Sequence, residues 1–189
     1  MNARLPATFT SADAAEHGVT RRGLQRMLSD ELIERIGHGL YRRTDAEPTD
    51  YDLAEIAAKA RRATLCLLSA LASHELTDII PSEHDVALPR GTWPPRLSAP
   101  VRWHVFDPAT FDIGREEVPV DDAHALGVYN APRSIVDAYR LRRELGPDIA
   151  NEALRRWLRR GGQASELMKI ASSFPAARPA ILNALQVLL

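Results

Sequence analysis

The chain has 189 residues, of which 45% are hydrophobic and 26% charged, with a formal net charge of -1. That composition excludes a disordered polypeptide, and the near-neutral balance excludes a protein that coats nucleic acid in bulk. The single cysteine, Cys66, excludes an internal disulfide and a cysteine-based zinc site. No signal peptide is visible and no apolar run approaches the ~20 residues of a membrane span, which predicts a cytoplasmic protein with no membrane partner.

The charge is unevenly spread. Residues 1–43 hold seven Arg against five acidic residues, a net of about +2 that leaves about -3 on the remainder. Any contact with a polyanion is therefore local and directed. Lys59 and Lys169 are the only lysines, so arginine carries nearly all the positive charge.

Phe9 to Arg43 reads as two short helices, a tight turn between them, and a β-hairpin. Thr10 or Ser11 caps the first helix, and Asp13 and Glu16 suit its positive end. Gly18 stops it, because glycine adopts the left-handed conformation that ends helices. Thr20 caps a second helix running to about Asp30. Leu24, Met27 and Leu28 share its inner face, and Arg22, Gln25, Arg26 and Ser29 its outer face, with Arg21 on the flank. Arg bonds guanine edges and phosphates, and Gln bonds adenine edges. Leu32, Ile33 and Ile36 then form a strand, Gly37-His38-Gly39 a turn, and Leu40-Tyr41-Arg42-Arg43 the return strand. This is the outline of a winged helix-turn-helix. It predicts that Arg22, Gln25 and Arg26 read bases, that Thr20, Arg21, Arg42 and Arg43 hold the DNA backbone, and that His38 sits at the wing tip.

Thr44 to Asp50, with Pro48, reads as a linker. Tyr51 to Arg62 and Leu65 to Glu75 read as helices, the second apolar nearly all round and holding Cys66 as an inert core thiol. Val86–Leu88, Val101–Phe106, Glu116–Val120 and Leu126–Tyr129 are strand candidates, with Trp93 and Trp103 expected in core or hairpin packing. From Pro132 onward the pattern is helical. Gly146 and Pro147 mark a stop and a start. Arg155, Arg156, Arg159 and Arg160 gather at the C-terminal end of the next helix, where they suit its dipole, and two more helices follow. The predicted class is α+β: an N-terminal winged helix-turn-helix (residues 1–47), then a mixed α/β domain with a small β-sheet and C-terminal helices (residues 48–189).

Enzyme chemistry finds little footing. His74-Glu75 lacks the second histidine of a zinc-protease helix, and no phosphate loop, nucleophile elbow or dinucleotide fingerprint occurs. Glu83 and Asp85 precede or occupy a strand as nuclease carboxylates do, yet neither lysine stands beside them. No catalytic residue, metal or cofactor is expected.

VTRRGLQRMLSDELIERIGHGLYRR, LSALASHEL (68–76), DVALPRG (85–91), NAPRSIVDAYRLRRELG (130–146) and EALRRWLRR, in this order, resemble the AbiEi-type antitoxins of abortive-infection, type IV toxin–antitoxin systems. The resemblance implies a DNA-binding N-terminal domain followed by an antitoxin domain. It also implies repression of the protein's own operon and neutralisation of a co-encoded nucleotidyltransferase-like toxin. Two copies on inverted repeats are expected, since one short recognition helix covers few base pairs. The division predicts that residues 48–189 alone retain protection and lose repression. One departure stands out: the helix that usually precedes the helix-turn-helix is missing, so it is reduced, replaced by Tyr51–Arg62, or encoded upstream. The rival reading is a ligand-responsive regulator whose second domain binds a small molecule.

Overall fold

The computed structural model, which describes residues 5–188, adds a strand ahead of the two N-terminal helices. Strand β1 (Thr8–Thr10) pairs antiparallel with β3 (Leu40–Arg43), which also pairs with β2 (Ile33–Gly37), giving the order β1-β3-β2. Alternation along the strands separates two faces. On one, Phe9 opposes Tyr41 with ring centroids 5.9 Å apart. That face packs with Ala14 of α1 (Ser11–Glu16), Leu24 of α2 (Arg21–Ser29) and Ile33. Both helices are capped as their sequence requires. Thr10 and Asp13 exchange hydrogen bonds of 2.7 and 3.2 Å across the first turn of α1, and the Thr20 hydroxyl accepts from Gly23 N at 3.1 Å. Gly18, at φ +79°, makes the turn between them.

The opposite sheet face carries Thr8, Leu40 and Arg42, all buried. It lies toward α3 (Tyr51–Lys59), which contacts β1 and β2. This helix covers the sheet face that α1 and α2 leave open. The boundary expected at 47/48 is therefore corrected: the first unit comprises Met1–Ala63, Pro94–Pro100 and Glu117–Leu126. The later segments join it through specific bonds. Buried Glu55 accepts Lys59 Nζ at 2.6 Å and the backbone N–H groups of Ser98 and Ala99 at 2.8 Å each. Burial alone would raise its pKa, but those three donors outweigh it and hold the carboxyl below its ordinary value. Ala7 N donates to Asp122 Oδ1 at 2.7 Å, and the Thr49 hydroxyl to Val120 O at 2.9 Å.

The same unit contains a titratable turn. Asp121 Oδ1 accepts the N–H groups of Ala123 and His124 at 2.9 and 2.8 Å and lies 3.0 Å from His124 Nδ1. Burial would raise Asp121, but these donors hold it well below the carboxylate range. The Asp121 hydrogen bond, against the effect of burial, raises His124, aided by the charges of Asp121, Asp13 and Asp122. A raised histidine stabilises fully below its unfolded pKa of 6.5, and that contribution is lost as pH rises through the folded value. A depressed aspartate stabilises above 3.8 and is lost as pH falls. The wild type is thus expected to melt at a higher temperature at about pH 5.5 than at about pH 8.5. His124→Gln should flatten that difference, and an unchanged pH slope in the variant would show that this pair does not set it.

The second unit comprises Thr64–Trp93, Val101–Glu116 and Gly127–Leu189. The five-stranded sheet, in the order β6-β5-β4-β8-β7, consists of β4 (Thr64–Leu65), β5 (His84–Pro89), β6 (Val101–Phe106), β7 (Arg115–Pro119) and β8 (Ala125–Tyr129). The chain passes from the second unit to the first within β7 and returns within β8. Between β4 and β5 lies α4 (Leu67–Ser73), and between β6 and β7 the single turn α5 (Pro108–Phe111). Then come α6 (Ala131–Arg140), α7 (Arg142–Leu145), α8 (Pro147–Arg159), α9 (Ala164–Ala171) and α10 (Arg178–Leu188). Their core is built on Leu71, Ile135, Leu154, Trp157, Leu167 and Ile181. The two units together make a mixed α+β protein with two small sheets.

Three expectations change here. The continuous helix read from Leu65 is a short strand, a sharp bend with Leu67 at φ 45°, and then α4. Trp93 is 90% exposed, so it is not a core residue. The arginines at the end of α8 are more than partners of the helix dipole. Arg156 bonds Asp78 and Glu152, Arg155 bonds Glu152, and Arg160 reaches His74 O at 3.0 Å and Glu75 at 2.9 Å. Arg156 and Arg160 thereby tie α8 to the segment following α4. Cys66 is fully buried, and burial pushes its thiol well above the ordinary value, with the Asp85 charge adding to the shift.

Candidate DNA interface

Helices α1 and α2 form one wall of a groove of about 570 Å³ in the first unit, and the β2–β3 hairpin forms the other. Thr20, Arg21 and Gln25 line the helical wall, and His38 lies at the hairpin end. The sequence had assigned all four to DNA, and the fold brings them to one concavity. Arg22 and Arg26 lie outside the groove lining on the exposed surface of α2. Arg26 is 84% exposed and only loosely paired, its Nε 3.6 Å from Asp30. The apolar stripe of α2 faces the sheet, so its polar stripe must face solvent; the period of the helix leaves no other choice.

Arg42 and Arg43 are corrections. Arg42 is 2% exposed and sits on the sheet face toward α3. Its Nη1 donates to the Thr8 hydroxyl at 2.9 Å, its Nη2 donates to Glu47 O, and its guanidinium lies 5.9 Å from the Tyr51 ring centroid. Arg43 projects from the other face but is tied to Asp45 at 2.8 Å and to Leu5 O at 2.9 Å. Neither guanidinium is presented to a phosphate. Counting basic residues at the end of the hairpin ignored strand alternation, which sends neighbouring arginines to opposite faces.

Sequence reasoning also missed residues. Ser11, Arg35 and Tyr41 line the groove. Arg35 opposes Tyr41 in the hairpin register, and the bulge between Arg35 and Gly37 follows it. Pairing the two strands backward from Gly39 would have placed Arg35 beside Tyr41. The missed signal was register rather than composition.

The geometry is thus two capped helices with an exposed Arg/Gln face, set beside a β-hairpin. Residues 2–44 match the family described as "Transcriptional regulator, AbiEi antitoxin". The match ends one residue after β3. No curated protein matches the chain. No helix among the described residues is long and apolar enough to cross a membrane.

Proposed function

We propose that the first unit is a winged helix-turn-helix that binds operator DNA and represses its own operon. In this reading the chain is the antitoxin of a type IV system, neutralising a co-encoded nucleotidyltransferase-like toxin in the cytoplasm. The observation that carries the reading is the exposed face of α2, Arg21, Arg22, Gln25 and Arg26, lying within the segment matched to the antitoxin regulators. The unit as a whole holds eleven Arg and Lys against thirteen Asp and Glu, so attraction to DNA comes from this face rather than from net charge. Arg22, Gln25 and Arg26 read bases, Thr20 and Arg21 hold the backbone, and His38 follows at the hairpin tip. Two copies bind an inverted repeat.

Arg26→Ala is expected to weaken operator binding by about 1–3 kcal/mol and to relax preference at one base position. A titration showing equal affinity for the variant would remove Arg26 from the reading set. The antitoxic half is tested by growth of cells expressing the neighbouring toxin gene. Full-length protein carrying Arg21→Ala, Arg22→Ala and Arg26→Ala should protect as well as the wild type while its promoter is derepressed. Failure of the wild type to protect would end the antitoxin reading.

One observation favours the rival, ligand-responsive regulator. A crevice of about 350 Å³ in the second unit is lined by Tyr139, Arg142, Asn151 and Asn183, with no carboxylate among its lining residues. Repression that responds to a small anionic metabolite in cells lacking the toxin gene would support that reading instead.

A further inference from the structure

The hairpin was expected to reach DNA through Arg42 and Arg43, and both are engaged inside the protein. The basic side chain that the hairpin does present is Arg35, exposed on β2 at the groove. We propose that Arg35 and Arg21 grip one strand of the DNA backbone from opposite walls of the groove. The inference rests on the DNA-binding reading above and deepens it by naming which hairpin residue carries the contact and what it contacts.

Three observations lead there. Arg21 and Arg35 line the same groove, one from the first turn of α2 and the other from the hairpin. Arg35 Nε donates to Gly37 O, two residues further on, at 3.1 Å. That bond fixes the guanidinium and leaves its two Nη groups as a fork, the geometry that takes two phosphate oxygens together. Among the described residues no Asp or Glu lines the groove, whereas the hydroxyl-bearing Ser11, Thr20 and Tyr41 do. A cleft with cations on both walls, hydroxyl donors and no acid selects a phosphodiester over a carboxylate-bearing or neutral partner. Lysine at position 35 would keep the charge and lose both the Gly37 bond and the fork. The contact carries no base information, so it sets where the module sits on the duplex rather than which sequence it prefers.

The test is fluorescence anisotropy of the full-length protein over a series of salt concentrations. The probes are a duplex spanning the region upstream of the gene and a scrambled duplex. Arg35→Gln is expected to weaken binding by the same factor on both duplexes and to lower the salt slope by about 1. Arg35→Lys should recover the slope but not the affinity. The losses of Arg21→Gln and Arg35→Gln should be non-additive, because both residues hold one segment of backbone. Thermal melts check that each variant is folded, as Arg35 makes one hydrogen bond among the described residues, within its own hairpin. If the wild type binds and Arg35→Gln matches it in affinity and slope, this inference fails and the DNA reading stands. If the wild type binds neither duplex, the DNA reading itself fails. Full recovery of affinity by Arg35→Lys overturns the fork, and strictly additive losses overturn the shared strand.

Discussion

Residues 1–47 produced alone are expected to be unfolded, although they contain both helices and the whole hairpin. The sheet they form has two buried faces and only one set of helices. Without α3, the face carrying Thr8, Leu40 and Arg42 opens to water, and Arg42 loses the Tyr51 ring beside its guanidinium. Ala7 N loses its acceptor on Asp122. So short a chain buries too little surface to offset its conformational entropy. Residues 1–63 should fare little better, because Glu55 would keep Lys59 while losing the Ser98 and Ala99 N–H groups that complete its shell. A buried charge left incompletely paired costs about 3–5 kcal/mol, a large part of a small domain's stability. Far-UV circular dichroism and a proton–nitrogen correlation spectrum give the answer. A cooperative melt with dispersed amide signals from residues 1–47 would show that the first unit needs neither α3 nor the later segments. The reciprocal fragment, 48–189, carries α3 without its sheet and is a poor reagent for separating protection from repression. Full-length point variants on α2 are the better one.

What could be read in advance was local. Thr10, Gly18 and Thr20 are the right residues at the ends of α1 and α2, and each acts through its nearest neighbours, so spacing alone revealed it. The polar face of α2 followed from its apolar one. Strand β6 was legible over its full length, Val101–Phe106, because Pro100 and Pro108 bracket an alternating run. The remainder depended on partners distant in sequence. Strand β1 is three residues long and is a strand only because β3 pairs with it. Strand β4 is two residues long, held between β5 and β8, and its bend requires a leucine at positive φ, a conformation that residue type does not predict. The fate of Arg42 turned on α3 covering one sheet face. The value of Arg35 turned on strand register. In both cases the residue type was visible and its environment was not.

Arg133→Met is expected to lower stability by about 3–5 kcal/mol, roughly a 10 °C fall in melting temperature for a chain of this length. Arg133 is completely buried near the start of α6, within the stretch that carried part of the family resemblance. Its Nε donates to Asp137 at 2.9 Å, and its Nη1 donates to the carbonyls of Thr110 and Ile113 at 2.7 and 2.6 Å. Nη2 finds no acceptor among the described residues, but the guanidinium carbon lies 4.1 Å from the Tyr129 ring centroid and 4.4 Å from that of Phe174. Those ring faces stabilise a desolvated cation. Arg133 thus joins α6, the α5 turn, β8 and the chain after α9 in one contact set. Methionine fills much of the volume, leaves two carbonyls without a donor, and leaves Asp137 with Arg140 Nε, 3.1 Å away, as its remaining guanidinium. Asp137→Leu alone should cost a similar amount, because it strands Arg133. The double variant should be less destabilised than the two losses combined, since neither buried charge is left behind. Urea denaturation of the four proteins measures the cycle. A loss below about 1 kcal/mol for Arg133→Met would mean that the aromatic packing, not the charge pair, holds this core. Where the antitoxin reading applies, the same variant should be scarce in cells and protect poorly, because a loss of this size changes steady-state abundance several-fold.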